Sequence, residues 1–369
     1  MESLALDVRR GPRRSVAKVG WALDVFQLQT ELFQFIRAEI EKRGPQSFAW
    51  FMEQALYHPE HGYYSSGRAT VGRRGDYFTN VSVGPLFGEL LGAQFAEIWE
   101  RLGKVDNFLI VEQGAHHGQF ACDVLESTRR RFPEFFSALR YQIVEPFSAL
   151  QDRQSRALQQ FRNRVLWKKS LDELEAFTGI HFSNELLDAM PINLRGKLVG
   201  LGGDKLVFVE GPTGAPPNQA MLDWIDCLST KLERGFVIAI DYGFSRAEFR
   251  EVLQVRAKHR RLDSPFEEIG QADITAHVNW TDVAERAGAI GLCIAGFSDQ
   301  HHFITGIMAE FPGLFDQADA KTKRQLQTLL HPEMLGRTFQ VLALAKDIDL
   351  AVPLSGFKFA RNARETLGL

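Results

Sequence analysis

A chain of 369 residues with 45% hydrophobic and 24% charged residues has the composition of a globular protein, and it is longer than one ordinary single-core domain. Those proportions exclude a collagen-like or wholly disordered chain. The 43 basic and 46 acidic residues leave a formal charge of −3, without the positive excess that general nucleic-acid binding demands.

In chain order, residues 1–24 carry several arginines and no apolar signal core, and are expected to form a disordered tail, with an organelle transit peptide as the alternative. Residues 25–43 repeat Phe26, Leu32, Phe33, Ile36 and Ile40 at helical spacing, and Gly44-Pro45 stops the helix. A second helix is predicted from Ser47 to Leu56, before Pro59. Residues 57–84 are rich in both glycine and aromatic residues, which reads as an ordered, site-covering loop rather than a disordered one. The next helix starts near Pro85 and ends near Gly103, closing an N-terminal helical part over 25–105.

From residue 106 the period changes. Strands are expected at 107–112, 140–145, 165–167, 180–185 and 235–241, with helices after the first two. The alternation predicts an α/β core over 106–243, a mostly parallel sheet covered on both faces. Residues 194–210, split by Gly202-Gly203-Asp204, read as an inserted hairpin. Residues 244–290 read as a charged insertion, irregular to about 280; 291–350 hold two further strands near 291–297 and 339–346, and 351–369 form a tail. No run of eighteen apolar residues predicts a membrane helix.

Ligands of an open parallel sheet bind beyond the carboxyl ends of its strands. Here those ends read Glu112-Gln113-Gly114-Ala115-His116-His117-Gly118, Glu145-Pro146, Asn184-Glu185-Leu186-Leu187-Asp188 and Asp241-Tyr242-Gly243. Each delivers a carboxylate to one rim. Such a rim repels a pyrophosphate, and the first turn lacks the G-x-G-x-x-G pattern of dinucleotide sites. A cationic nucleoside without phosphate, S-adenosylmethionine, suits it better. The competing reading is that these acids cap helices and solvate loops. The sparse cysteines Cys122, Cys227 and Cys293 suggest neither a disulfide framework nor a zinc site, and no metal is expected. His58 and His61 have metal-like spacing but read as part of a surface turn.

The same residues resemble the MidA family of S-adenosylmethionine-dependent methyltransferases. The likeness runs in order through Ala55-Leu56-Tyr57 to Gly62-Tyr63-Tyr64, Gly75-Asp76-Tyr77-Phe78-Thr79, Phe87-Gly88, Glu112-Gln113-Gly114, Ile143-Val144-Glu145 with Leu150 and Gln154, Ser183 to Pro191, Asp241-Tyr242-Gly243, Asp273 to Val278, and Gln300 with Phe303. The resemblance implies a class I, Rossmann-like methyltransferase fold with a seven-stranded sheet, a helical N-terminal part and inserted elements. It also implies methylation of arginine in a partner protein, a respiratory complex I subunit in the family's characterised members. The corresponding setting is the bacterial cytoplasm, or the mitochondrial matrix in a eukaryote.

On that footing Glu145 holds the ribose hydroxyls, Gly114 and Gly118 line the methionine portion, and Glu112 orients its amine. Gly75, Asp76, Phe78 and Thr79 form a lid over the cofactor, Asn184 borders it, and Glu185 with Asp188 faces the reacting nitrogen. Asp241 and Tyr242 close the wall. One departure stands out: the family's turn usually has glycine where this chain has His116. Either the loop shifts and the imidazole points outward, or cofactor binding is weakened. A small-molecule methyltransferase and a non-catalytic assembly factor remain alternatives.

Overall fold

The computed structural model describes residues 19–67, 79–214, 216–250, 252–258, 260–316 and 318–369, with side chains from residue 31 onward. Helix α1 (Val19–Arg43) begins six residues before the predicted start, so residues 19–24 are helical; 1–18 lie outside the described residues. Strand β1 (Gln46–Ser47) leads into α2 (Phe48–Tyr57), whose first turn is capped by the Ser47 hydroxyl accepting from the Trp50 N–H at 3.1 Å. A one-turn helix, α3 (Asn80–Val83), precedes α4 (Leu86–Arg101), with Pro85 at its N-cap.

The sheet then builds through β2 (Phe108–Gln113), α5 (Gln119–Arg131), α6 (Pro133–Ala138), β3 (Leu139–Val144), α7 (Ser148–Ala157), β4 (Val165–Lys168) and β5 (Phe177–Asn184). The hairpin β6 (Lys197–Gly202) and β7 (Lys205–Glu210) turns at Gly203-Asp204, and β1 pairs with its β6 edge. Helix α8 (Gln219–Lys231) leads into β8 (Leu232–Phe244), the long central strand.

The predicted irregular insertion is regular instead. Strands β9 (Leu253–Ala257), β10 (Arg260–Arg261) and β11 (Asp273–Ala276) form a separate antiparallel sheet in the order β10-β9-β11. Alternating Val255 and Ala257 with exposed Arg256 gives it one buried face, and the surrounding charges hid that short period. Strand β12 (Val278–Asn279) joins β8, and α9 (Trp280–Ala289) is amphipathic and packs on α8. Strand β13 (Cys293–Asp299), α10 (Gln300–Glu310), α11 (Ala320–Leu330), β14 (Phe339–Lys346) and α12 (Ala363–Leu367) complete the chain. The expected tail is packed down: Leu354, Phe357 and Leu367 are buried.

The main sheet runs β13-β14-β8-β5-β2-β3-β4, seven strands, with β12 added beside β8. β4, β3, β2, β5 and β8 are parallel; β14 runs antiparallel between β8 and β13, so β13 points the same way as the parallel five. Side-chain alternation splits β8 between two cores. Phe236, Ile238 and Ile240 join the core under α4, α5 and α10, whereas Val237 and Ala239 join the one under α2, α8 and α9. At the middle of the sheet Gly179 and Gly235 are register partners with φ of 151° and 143°, and a Cβ on either would overlap a neighbouring carbonyl. The parallel order sends the ends of β2, β3, β5 and β8 to one rim.

Candidate active site

The rim begins at β2. Glu112 is buried, and the Tyr141 hydroxyl donates to its Oε2 at 2.7 Å. Burial pushes the carboxyl up to about 7, against that hydrogen bond. The turn that follows takes left-handed φ three times, at Gly114 (80°), His116 (45°) and Gly118 (78°). A Cβ at Gly114 would only touch Leu186 Cδ1, at 3.4 Å, so it is the left-handed φ that calls for glycine there. Gly118 forms the N-cap of α5. His116 keeps the conformation that a glycine would take, and its ring lies 3.8 Å from that of His117. The turn therefore keeps a glycine-type backbone at this position, and His116 borders both cavities that flank it.

Glu145 ends β3 and is also buried. Its Oε1 accepts from the Phe147 N–H at 3.1 Å and its Oε2 from Gln154 Nε2 at 3.0 Å. Burial outweighs both bonds and raises this carboxyl to about 7. Gln154, fully buried, also donates to the His116 carbonyl at 2.9 Å and accepts from Trp167 Nε1 at 2.9 Å. It locks the altered turn to the end of the next strand.

At the end of β5, Glu185 takes φ of 55°. Its Oε1 accepts from Asn184 Nδ2 at 2.8 Å and from the Asn80 N–H at 3.4 Å, and Asn80 Nδ2 donates to Asn184 Oδ1 at 2.9 Å. Desolvation raises the Glu185 carboxyl to about 8, aided by the charge of Asp241. Asp241, at the end of β8, is wholly buried; its Oδ2 accepts from the N–H groups of Leu186, Leu187 and Asp188 at 2.8–3.2 Å, and its Oδ1 from the Tyr242 N–H at 2.8 Å. It braces the turn that carries the site rather than forming its wall, whereas Tyr242 does line a cavity. Asp188 is buried too, and burial together with Asp241, Asp273 and Glu185 holds its carboxyl well above the usual range.

Three adjoining cavities occupy the rim. The first, about 260 Å³, lies between Glu145, Phe147 and Leu150 on one side and Tyr57 and Met190 on the other. The second, about 230 Å³, is lined by Glu112, Gly114, Asn184, Thr79 and Ser82. The third, about 170 Å³, is lined by Tyr64, Asp188, Tyr242 and Asp273, the Tyr64 hydroxyl donating to Asp273 at 2.7 Å. Glu185 is the one residue common to all three. Among the described residues no lysine or arginine lines the first two. Two carboxylates at adjacent strand ends, a glycine that brings backbone to the ligand, and an apolar slot beside Glu145 fit a cationic nucleoside without phosphate.

Of the residues singled out from sequence, Glu112, Gly114, Glu145, Asn184, Glu185, Asp188 and Thr79 line these cavities. Gly118 lies one step back, against Gln154. Gly75, Asp76 and Phe78 fall outside the described residues. Thr79 forms a capping box with Ser82 at the start of α3. Sequence reasoning gave no role to Asn80, Gln154 or Asp273, and it set Tyr64 beside the lid rather than against Asp273. A Thr79-x-x-Ser82 capping pattern could have placed Asn80 on an ordered turn. No local signal shows that β11 folds back to bring Asp273 to Tyr64.

Comparison with known proteins agrees with this geometry. Residues 90–197 and 217–298 match the family described as "Putative S-adenosyl-L-methionine-dependent methyltransferase". The chain is 25% identical to the human protein arginine methyltransferase NDUFAF7, mitochondrial, over 91% of this chain and 87% of that one. The Bos taurus protein of the same name is 26% identical over 91% and 87%. A COG1565 superfamily crystal structure from Burkholderia thailandensis, bound to S-adenosyl-homocysteine, superposes with a TM-score of 0.82 at 26% identity, covering 93% of this chain and 98% of that one. S-adenosylmethionine is the cofactor that family, relative and cavity share. With over half of its length matched by the family model, the chain belongs to this family of S-adenosylmethionine-dependent methyltransferases.

Proposed function

We propose that this methyltransferase acts on an arginine side chain in a protein, that Glu145 and Glu112 hold the cofactor, and that Glu185 faces the reacting nitrogen. The observation that carries the reading is the position of Glu185 at the junction of the two cofactor-type cavities and the acidic third one. S-adenosylmethionine supplies an electrophilic methyl on a sulfonium. The chain's own work is on the acceptor.

A guanidinium is delocalised and protonated, hence a poor nucleophile. Glu185, oriented by Asn184 and Asn80, pairs with it, fixes one nitrogen, and accepts the proton that nitrogen loses as its new N–C bond forms. Asp188 and Asp273 neutralise the rest of the cation within the same cavity. Glu145 accepts from ribose hydroxyls, and Gly114 lets the backbone approach the amino-acid portion. Asn184 carries a dual part, since it borders the second cavity and aims Glu185. The lid role of Gly75, Asp76, Phe78 and Thr79 belongs to the same proposal.

The names of the relatives support a protein arginine as substrate. The family resemblance adds a respiratory complex I subunit as the partner, in a bacterial cytoplasm or a mitochondrial matrix. No helix among the described residues is long and apolar enough to cross a membrane.

The test is transfer of labelled methyl from S-adenosylmethionine to proteins in a lysate, followed by amino-acid analysis of the labelled band. Methylarginine that disappears with Glu185→Gln supports the reading. Label on another residue type, or label untouched by the substitution, defeats it.

A further inference from the structure

The third cavity does not end at its carboxylates. Ala276 and His277, where β11 runs into β12, line it on one side and line a fourth cavity of about 310 Å³ on the other. The apolar lining of this fourth space comes from Ile192, Met221, Phe249 and Val252. These residues belong to three separate stretches: the one after β5, the start of α8 and the insertion after β8. The fourth cavity shares no lining residue with either cofactor-type cavity. It therefore lies on the acceptor side of the acidic pocket.

An arginine whose guanidinium enters the acidic pocket remains tethered by three methylenes to a main chain. That main chain and its neighbours must rest on surface next to the pocket, and the adjoining surface on the Ala276–His277 side is this apolar recess. A small guanidino compound has no second group to reach it. Its volume is at the lower end for ligand pockets, suited to a side chain or two rather than a folded domain.

Charge is arranged to match. The carboxylates of Glu185, Asp188 and Asp273 outnumber the one cation that lines the acidic pocket among the described residues, Arg256, while the fourth cavity carries Arg195 and its own acid, Asp282, is already engaged by Arg246 at 2.7 Å and Asn218 at 3.3 Å. The cation is drawn to one compartment and the apolar group is left to the other.

We propose that the fourth cavity is a specificity pocket for an apolar residue flanking the methylated arginine, so that the substrate is an extended segment with Leu, Ile, Met or Phe beside its arginine. The inference rests on the arginine reading above and adds a sequence requirement to it. His277 and Ala276 form the sill between the two compartments.

The experiment uses the full chain and an array of synthetic peptides, each with one arginine and systematically varied neighbours, assayed for labelled methyl transfer. Peptides with an apolar residue at one flanking position are expected to show kcat/KM about tenfold or more above those with serine there. The Val252→Asp and Phe249→Ala variants, both at partly exposed positions, are expected to erase that preference by raising the peptide KM, with the Kd for S-adenosylmethionine unchanged. Methylated peptides with no flanking preference, or a preference that survives both variants, overturn the specificity pocket while leaving the arginine reading intact. Cofactor binding with no transfer to any arginine peptide overturns the arginine reading, and this inference with it.

Discussion

Glu185 is held by donors that fix its direction rather than by a cation that would neutralise it. Asn184 and the Asn80 main chain donate to one carboxylate oxygen, and among the described residues no lysine or arginine pairs with it. Its carboxyl is raised to about 8 by burial, and a positive group arriving beside it favours the ionised form. Glu185→Gln keeps the shape and loses the charge, so kcat is expected to fall by roughly 10²- to 10⁴-fold. The Kd for S-adenosylmethionine, measured calorimetrically, should stay within a few-fold; a lost cofactor affinity would assign Glu185 to the cofactor instead. Asn80 acts one step further away, as a positioning residue. Asn80→Ala removes the donor that fixes Asn184, and kcat is expected to drop about 10- to 100-fold with little change in either KM. A change in KM alone would place Asn80 in binding. Asn80 illustrates what single positions conceal: the strand-end acids are visible because each follows an apolar run, while Asn80 reaches them only through tertiary folding over more than a hundred residues.

Among the elements, the β2–α5 turn shows how one substitution is absorbed. The His116 backbone pays a left-handed cost of about 1–2 kcal/mol. Contacts oppose that cost: Gln154 bonds the His116 carbonyl and the ring packs on His117. His116→Gly trades that strain for a more flexible unfolded chain, and the expected change in stability is within about 1 kcal/mol. S-adenosylmethionine affinity is expected to change less than about threefold; a loss of tenfold or more by titration would show that the imidazole itself holds the ligand. Gly114→Ala is the contrasting case, at φ of 80° and with Leu186 in contact, and here both stability and affinity should fall. The strands of the sheet were legible because each is a short apolar run between turn residues, and the 194–210 hairpin because Gly203-Asp204 marks its turn. The β9–β11 sheet was not. Its strands have two to five residues, too few to show an alternation among so many charges. The pairing of β1 with β6 was also hidden, being a contact between segments some 150 residues apart.

Across the whole molecule, the rim concentrates carboxyl groups whose ionised forms are disfavoured in the free protein. Glu112 and Glu145 are raised to about 7 and Glu185 to about 8, with Asp188 and Asp241 also held up by burial. Unfolded, such groups ionise near 4. Below pH 4 both states hold these protons, and between that point and the folded values only the folded chain does. The stabilisation from this retention is full below pH 4, declines steadily as pH rises, and is gone once pH has passed the folded values of 7 to 8. Histidines act in the opposite sense: burial lowers His181 to about 3 and also lowers His58, His117 and His277, so they destabilise the fold as pH drops below about 6.5. The two sets overlap in acid, but above pH 7 the histidines are almost neutral in either state and the carboxyls govern. The ligand-free protein is therefore expected to lose on the order of 2 kcal/mol between pH 7 and 8, seen as a fall in Tm of roughly 3 °C. A cationic cofactor reverses the preference by favouring the ionised acids, so it binds more tightly as pH rises from 6 to 8 and releases protons as it does so. Thermal melts with and without S-adenosylmethionine at pH 6, 7 and 8 check both statements. The cofactor-induced rise in Tm should grow with pH, and a rise that is equal at all three values would mean that the rim is already ionised before the cofactor binds.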